Sequence, residues 1–101
     1  MYIYSITFAI NESIEYEWIN HLKDKYIKGF LEKGDFTDYT FTQIINENEI
    51  EHTYNLQLRC NDKNKLNHFL KNDGQVIHQE LLLRFNGQLG IFSSFLKVVQ
   101  I

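Results

Sequence analysis

Four histidines, one cysteine, a run of glutamates and a single tryptophan are the side chains through which this chain could do chemistry. His21, His52, His68 and His78 would hold a metal only if spaced as ligand pairs, as in His-Glu-x-x-His, or if joined by a Cys-x-x-Cys. Neither pattern occurs, and His78-Gln79-Glu80 is too loose to count as a site. The expectation is no metal site and four isolated surface histidines. Cys60 becomes a nucleophile only beside a base or cation that lowers its pKa. Its neighbour Arg59 falls on the opposite face of a regular strand, so a buried, inert thiol is expected. Serine catalysis has no Gly-x-Ser-x-Gly elbow. Gly87-Gln88-Leu89-Gly90 follows a helix and enters a strand, which is the wrong context for a phosphate loop. Glu47, Glu49 and Glu51 crowd a turn, where solvation accounts for them. Trp18 shares a helix face with Leu22, which suits a core position. Its other reading is the mouth of a pocket, with His21 one turn on. No catalytic residue, metal ligand or cofactor is assigned.

One set of polar residues is left over. Ser5, Thr7, Thr40, Thr42, Asn55, Gln57 and Arg59 fall on the strand positions that alternate with the apolar ones. A face simply open to water more often carries lysine and glutamate, whereas this one is hydroxyls and amides with a single arginine. Ser5, Thr7, Thr42, Asn55, Gln57 and Arg59 are therefore the candidate ligand-binding residues, for a small polar or anionic molecule. Arg59 is expected either to pair with a carboxylate or to await an anionic group. The plainer reading is a solvated face, since threonine and glutamine are good strand-surface residues.

The elements that position these residues follow from periodicity. Tyr4, Ile6, Phe8 and Ile10 alternate with Ser5, Thr7 and Ala9, the period-2 mark of a half-buried strand over Tyr2 to Ile10. Asn11 or Ser13 caps a helix carrying Ile14, Trp18, Leu22, Tyr26 and Phe30, with Ile27 and Leu31 beside them, and Gly34 ends it. Gly29 inside this helix costs about 1 kcal/mol against alanine, and marks either fraying or a close backbone approach. Tyr39 to Asn46 and Glu51 to Cys60 read as a hairpin across Glu47-Asn48-Glu49. Asn61 or Asp62 caps a second helix that closes near Asp73-Gly74, followed by more helix over Val76 to Phe85 and a stop at Asn86-Gly87. A last strand runs from about Ile91 to Val99, with Phe92, Leu96 and Val98 toward the helices. The order strand, helix, strand, strand, helix, strand is the split βαβ or ferredoxin-like α+β arrangement (βαββαβ), a four-stranded antiparallel sheet with both helices on one face.

Composition bounds the rest. One hundred and one residues, 44% hydrophobic and 15% aromatic, suit one globular domain over residues 1–101. At 12.1 kDa such a chain exposes roughly 6,000 Å² when folded. Ten basic against thirteen acidic residues give a net charge of −3, which argues against nucleic acid and anionic membranes as partners. No apolar run approaches the ~20 residues of a membrane span, and Met1–Ile10 lacks the basic leader and cleavage site of a signal peptide. A single cysteine fits a reducing compartment, so a cytoplasmic location is expected.

Several stretches resemble a family of bacterial proteins of this length catalogued as a domain of unknown function. They are Met1-Tyr2-Ile3-Tyr4, Glu12-Ser13-Ile14 leading to Trp18, Gly34 and Phe36, Arg84-Phe85-Asn86-Gly87, and Phe92 to Val99. The resemblance covers nearly the whole chain and implies a fold like the dimeric α+β barrels, hence a homodimer. Phe95, Val99 and Ile101, expected to point outward from an edge strand, are the candidate dimer contacts. The functional expectation is a homodimeric small-ligand-binding or protein-interaction module without demonstrated catalysis. The rivals are a cofactor-independent or haem-handling monooxygenase of the dimeric-barrel type, which would recruit Asn55 and Trp18, and a purely structural dimer.

Overall fold

The computed structural model describes residues 1–45 and 52–101. Strand β1 (Tyr2–Ile10) is central, because its alternation buries Tyr4, Ile6, Phe8 and Ile10 on one side. Asn11 then caps the chain into a 3₁₀ turn, Glu12–Ile14, its Oδ1 accepting from the Ser13 amide at 3.0 Å. The first helix, α1 (15–33), runs as Glu15–His21, a wider π stretch Leu22–Ile27, and Lys28–Lys33. The π stretch answers the sequence spacing. Trp18, Leu22, Tyr26 and Phe30 recur every four residues, and in a pure α-helix each step would swing the stripe by about 40°. The i→i+5 geometry turns less per residue and brings the stripe back over the sheet, so all four are buried. Gly34 ends α1 with φ +76°, a left-handed cap.

Strand β2 (Asp38–Gln43) pairs with β3 (Thr53–Cys60), and β3 with β1. The expected strand Tyr39–Asn46 thus stops at Gln43, although the Ile44 amide still donates to Thr53 O. The expected turn at Glu47-Asn48-Glu49 lies outside the described residues. Asp62 caps the second helix by accepting from the Asn64 amide at 2.8 Å. That helix, α2 (63–84), does not close at Asp73-Gly74. It continues as Lys63–Phe69, a π stretch Leu70–Gly74 and Gln75–Arg84, because Gly74 keeps helical angles and no proline interrupts. Asn86 (φ +52°) and Gly87 (φ +70°) then stop it, the Gly87 amide returning to Leu82 O. Strand β4 (Leu89–Lys97) closes the sheet against β1.

The sheet order is β2-β3-β1-β4, antiparallel throughout. Both helices cover one face, which gives the expected ferredoxin-like α+β fold. Between the layers sits one core. Phe8, Trp18 and Tyr54 fill one end, and Tyr4, Phe30, Phe36 and Phe69 fill the other with edge-to-face contacts. Cys60 is buried, its Sγ 3.1 Å from Asp62 O, as an inert thiol would be.

Strand β4 corrects one expectation. Its register with β1 sets Ile91 against Phe8, Phe95 against Tyr4 and Leu89 against Ile10. Leu89, Ile91, Ser93 and Phe95 therefore face the helices, while Phe92, Ser94 and Leu96 face away. Leu96, expected in the core, is 42% exposed, and Phe95 points toward the helices rather than outward. Either parity of this strand is apolar near its end, so alternation alone could not choose. Pairing fixed by Leu89 and Ile91 chose, and a one-residue slip would have reversed every side chain.

Gly29 has nothing within 4 Å of an added Cβ, so no close approach requires it. Gly29→Ala is expected to stabilise the fold by about 0.4–1 kcal/mol, read as a higher urea midpoint at unchanged slope.

Candidate functional site

The open side of the sheet brings the sequence-predicted residues together. Register places Ser5 beside Gln57, Thr7 beside Asn55, Thr42 beside Asn55 and Thr40 beside Gln57. Asn55 is the hub: its Nδ2 donates to Ser5 Oγ at 3.0 Å and to Thr7 Oγ1 at 3.2 Å, and reaches Ile6 O at 3.4 Å. Thr42 Oγ1 donates to the Asn55 carbonyl at 3.4 Å. Arg59 sits at the far end of β3 with its guanidinium engaged, Nη1 to Asp38 Oδ1 at 3.0 Å and Nη2 to Thr40 Oγ1 at 2.7 Å. Of its two expected roles, pairing with a carboxylate is the one observed.

Beside this polar patch lies an apolar one. Phe92 on β4, facing away from the helices, is 69% exposed and pairs across the strand with Thr7, while Leu96 pairs with the half-buried Ile3. The open face is thus amide and hydroxyl groups along β3 and β1, with an apolar margin on β4. Four clefts among the described residues open on the helix side or along the helix-covered edges.

Two of the four histidines are not isolated, which sequence reasoning missed. Glu80 of α2 reaches back to α1, where its carboxylate accepts from the Tyr26 hydroxyl, lies 3.1 Å from His21 Nε2 and 3.3 Å from Lys25 Nζ. At the other end Glu15 accepts from the Tyr54 hydroxyl and meets His52 Nδ1. The local signal was slight. His21 and Lys25 stand one turn apart on α1, but Glu80 is 59 residues from His21, a separation that periodicity does not see. His68 and His78 remain surface residues of α2. No group of three or more metal-ligating side chains occurs among the described residues.

The Glu80 cluster ties the two helices together with a pH dependence of definite sign. Burial would raise the Glu80 carboxyl, but donation from Tyr26 and Lys25 and the charges of His21 and Lys25 outweigh it and hold it below its ordinary value of 4.5. Burial, then donation to Glu80, pushes the Tyr26 phenol above its ordinary range. A depressed carboxyl adds stability above its unfolded pKa and loses it as pH falls through the folded one. Glu80→Gln is expected to cost about 1–2 kcal/mol at pH 7. Its difference from the parent should shrink as pH falls from about 5 toward 3, measured as urea midpoints across that range.

Among known proteins, a family model described as a domain of unknown function, DUF4286, matches residues 1–99. No curated protein matches the chain significantly. Several solved structures share its fold. A Deinococcus radiodurans protein, provisionally described as an antibiotic biosynthesis monooxygenase, superposes with a TM-score of 0.77 at 9% identity, covering 100% of this chain and 95% of that one. An Arabidopsis thaliana protein gives 0.72 at 12% identity, with 100% and 98% covered. A protein from an uncultured marine organism, described as a dimeric ferredoxin-like protein, gives 0.67 at 11% identity, with 99% and 95% covered. At such identities the likeness concerns the fold. No helix among the described residues is long and apolar enough to cross a membrane.

Proposed function

The chain belongs to the DUF4286 family, and from that premise we propose that it is a homodimeric binding module that pairs through the open faces of two sheets and takes a small molecule. The observation that carries the reading is the uncovered face itself, with Phe92 and Leu96 standing in solvent on it. Domains are usually built of at least two layers with each apolar surface covered. This slab is only 19 Å through its thinnest dimension, one sheet and one helix layer. Its accessible area of 6,823 Å² exceeds the roughly 6,000 Å² expected of a monomer of its mass. A face of four strands and about eight residues measures roughly 500 Å², so two facing copies remove about 1,000 Å² before side-chain relief is counted, the lower range of specific interfaces. The description of the marine neighbours as dimeric supports the same assembly.

In this reading Ser5, Thr7, Thr42, Asn55, Gln57 and Arg59 line the seam between the sheets, where hydroxyls and amides set register and can hold polar groups. Phe92 and Leu96 supply its apolar margin, with Val99 and Ile101 of the exposed tail at the rim, and Phe95 stays with the helices. A two-fold axis makes one patch its own complement. A cytoplasmic setting suits the single free thiol of Cys60. The monooxygenase alternative draws only on the shared fold of the Deinococcus protein. Trp18 and Asn55, the residues it would recruit, lie on opposite sides of the sheet.

Thiol labelling tests the pairing. Ser94→Cys places a reactive probe on the open face, and buried Cys60 serves as the unreactive reference. Labelling at position 94 is expected to be slow at high protein concentration and to speed up on dilution. A rate independent of concentration, as fast as that of an unfolded thiol, would contradict the pairing.

A further inference from the structure

On the helix side, α2 and β4 do not close against one another. Between them lies a cleft of about 380 Å³, within the range of small-molecule sites. Its sheet wall is Tyr4, Ser93 and Phe95, and its helix wall includes Gln75, His78 and Gln79. The space comes from two small residues on opposite walls. Ser93 stands where the rest of the helix-facing row of β4 is Leu89, Ile91 and Phe95. Gly74 stands in mid-helix on the other wall, where an added Cβ would make ordinary contact with Phe69 and Leu70 at 3.8 to 3.9 Å.

The lining has a definite chemistry. Phe95 stacks on Tyr4 (centroids 5.2 Å apart, 21° between planes) yet leaves 56% of its own surface exposed. Such a ring at the side of a cleft is an unfilled apolar platform. Tyr4 and Ser93 each bring a hydroxyl to the sheet wall, and Gln75 and Gln79 bring amides to the opposite wall. None of the lining residues is lysine, arginine, aspartate or glutamate. Apart from the His78 imidazole no ionisable cation or carboxylate faces the cleft, so an ionised ligand meets little compensation for its lost hydration.

We infer that this cleft is the small-molecule site, and that its ligand is an uncharged, flat, largely apolar molecule of one or two rings bearing a hydrogen-bonding oxygen. The inference rests on the binding-module reading and moves the ligand from the open face to the helix side. Pairing through the open face leaves this cleft accessible, so one assembly accommodates both roles. Rings lie along Phe95, and the oxygen meets Ser93 or the glutamine amides.

The test uses 2-naphthol as probe and 2-naphthoate as its charged counterpart, titrated into the full chain and followed by amide chemical shifts, with molecular mass measured on the same samples. Saturable 2-naphthol shifts are expected at residues 74–79 and 93–95, with 2-naphthoate at least tenfold weaker. Ser93→Val, which keeps strand propensity and removes the hydroxyl, should weaken 2-naphthol about fivefold or more. Gly74→Ala, which fits the helix and narrows the cleft, should weaken it too. Shifts confined to residues 5, 7, 55 and 57 would overturn the cleft while keeping a ligand-binding module. Absence of saturable shifts anywhere would overturn both and leave a structural dimer. A monomeric mass with shifts at 74–79 would overturn the pairing and keep the cleft. Equal affinity for naphthoate would overturn the ligand class.

Discussion

Replacing Trp18 by alanine is expected to lower stability by about 3–5 kcal/mol, a large share of the 5–15 kcal/mol that holds a domain of this size together. Trp18 is fully buried at the centre of an aromatic cluster, with ring centroids 5.0 Å from Phe8, 5.2 Å from Tyr54 and 6.1 Å from Phe41. These three partners belong to three adjacent strands, so truncation opens a void between α1 and the sheet that no single shift refills. Trp18→Phe should behave differently. The indole Nε1 is buried without a hydrogen-bond partner among the described residues. Phenylalanine gives up volume but removes that unsatisfied donor, a relief of about 1–3 kcal/mol set against the lost contacts. Urea unfolding should therefore separate the two variants by at least about 1.5 kcal/mol. An alanine variant that melts within two or three degrees of the parent would contradict this packing.

If two copies pair as proposed, Phe92→Asp is expected to dissociate the dimer while leaving the protomer folded. Two-fold symmetry places the substitution on both facing sheets, so each dimer acquires two buried carboxylates and loses two apolar side chains. Burying an unpaired charge costs several kcal/mol, so dimer affinity should fall at least a hundredfold, about 2.7 kcal/mol. The protomer itself should change by no more than about 0.5 kcal/mol, because Phe92 is exposed and lies outside the core. Sedimentation velocity reads the first quantity, and urea unfolding of the dissociated protein reads the second. Loss of the fold in Phe92→Asp would instead place this ring in the core.

Much of the architecture was legible in the residues. The alternation in β1 and β3, the four-residue stripe of α1 and the stops at Gly34 and Asn86-Gly87 are local signals that gave their elements, while the caps were legible only as Asn11 or Ser13 and Asn61 or Asp62, of which Asn11 and Asp62 cap. The facing of β4 was not legible. Phe92 and Leu96 on one parity and Phe95 and Val99 on the other are equally apolar, and only pairing with β1 decides between them. That single ambiguity misplaced Leu96 in the core and turned Phe95 outward, and it concealed the cleft beside Ser93. The polar sheet face was readable because it rests on period 2. The Glu80 and Glu15 clusters were not, since each joins residues brought together only by tertiary packing. Gly74 looked like a helix stop because glycine often is one, yet its angles stay helical.

The central claim is that the open sheet face is covered by a second copy. Static light scattering of the unmodified chain at low micromolar concentration tests it most directly, with Phe92→Asp run beside it. The expected result is twice the 12.1 kDa chain mass for the parent and a single chain mass for the variant. A parent mass of one chain, unchanged by Phe92→Asp, would contradict it.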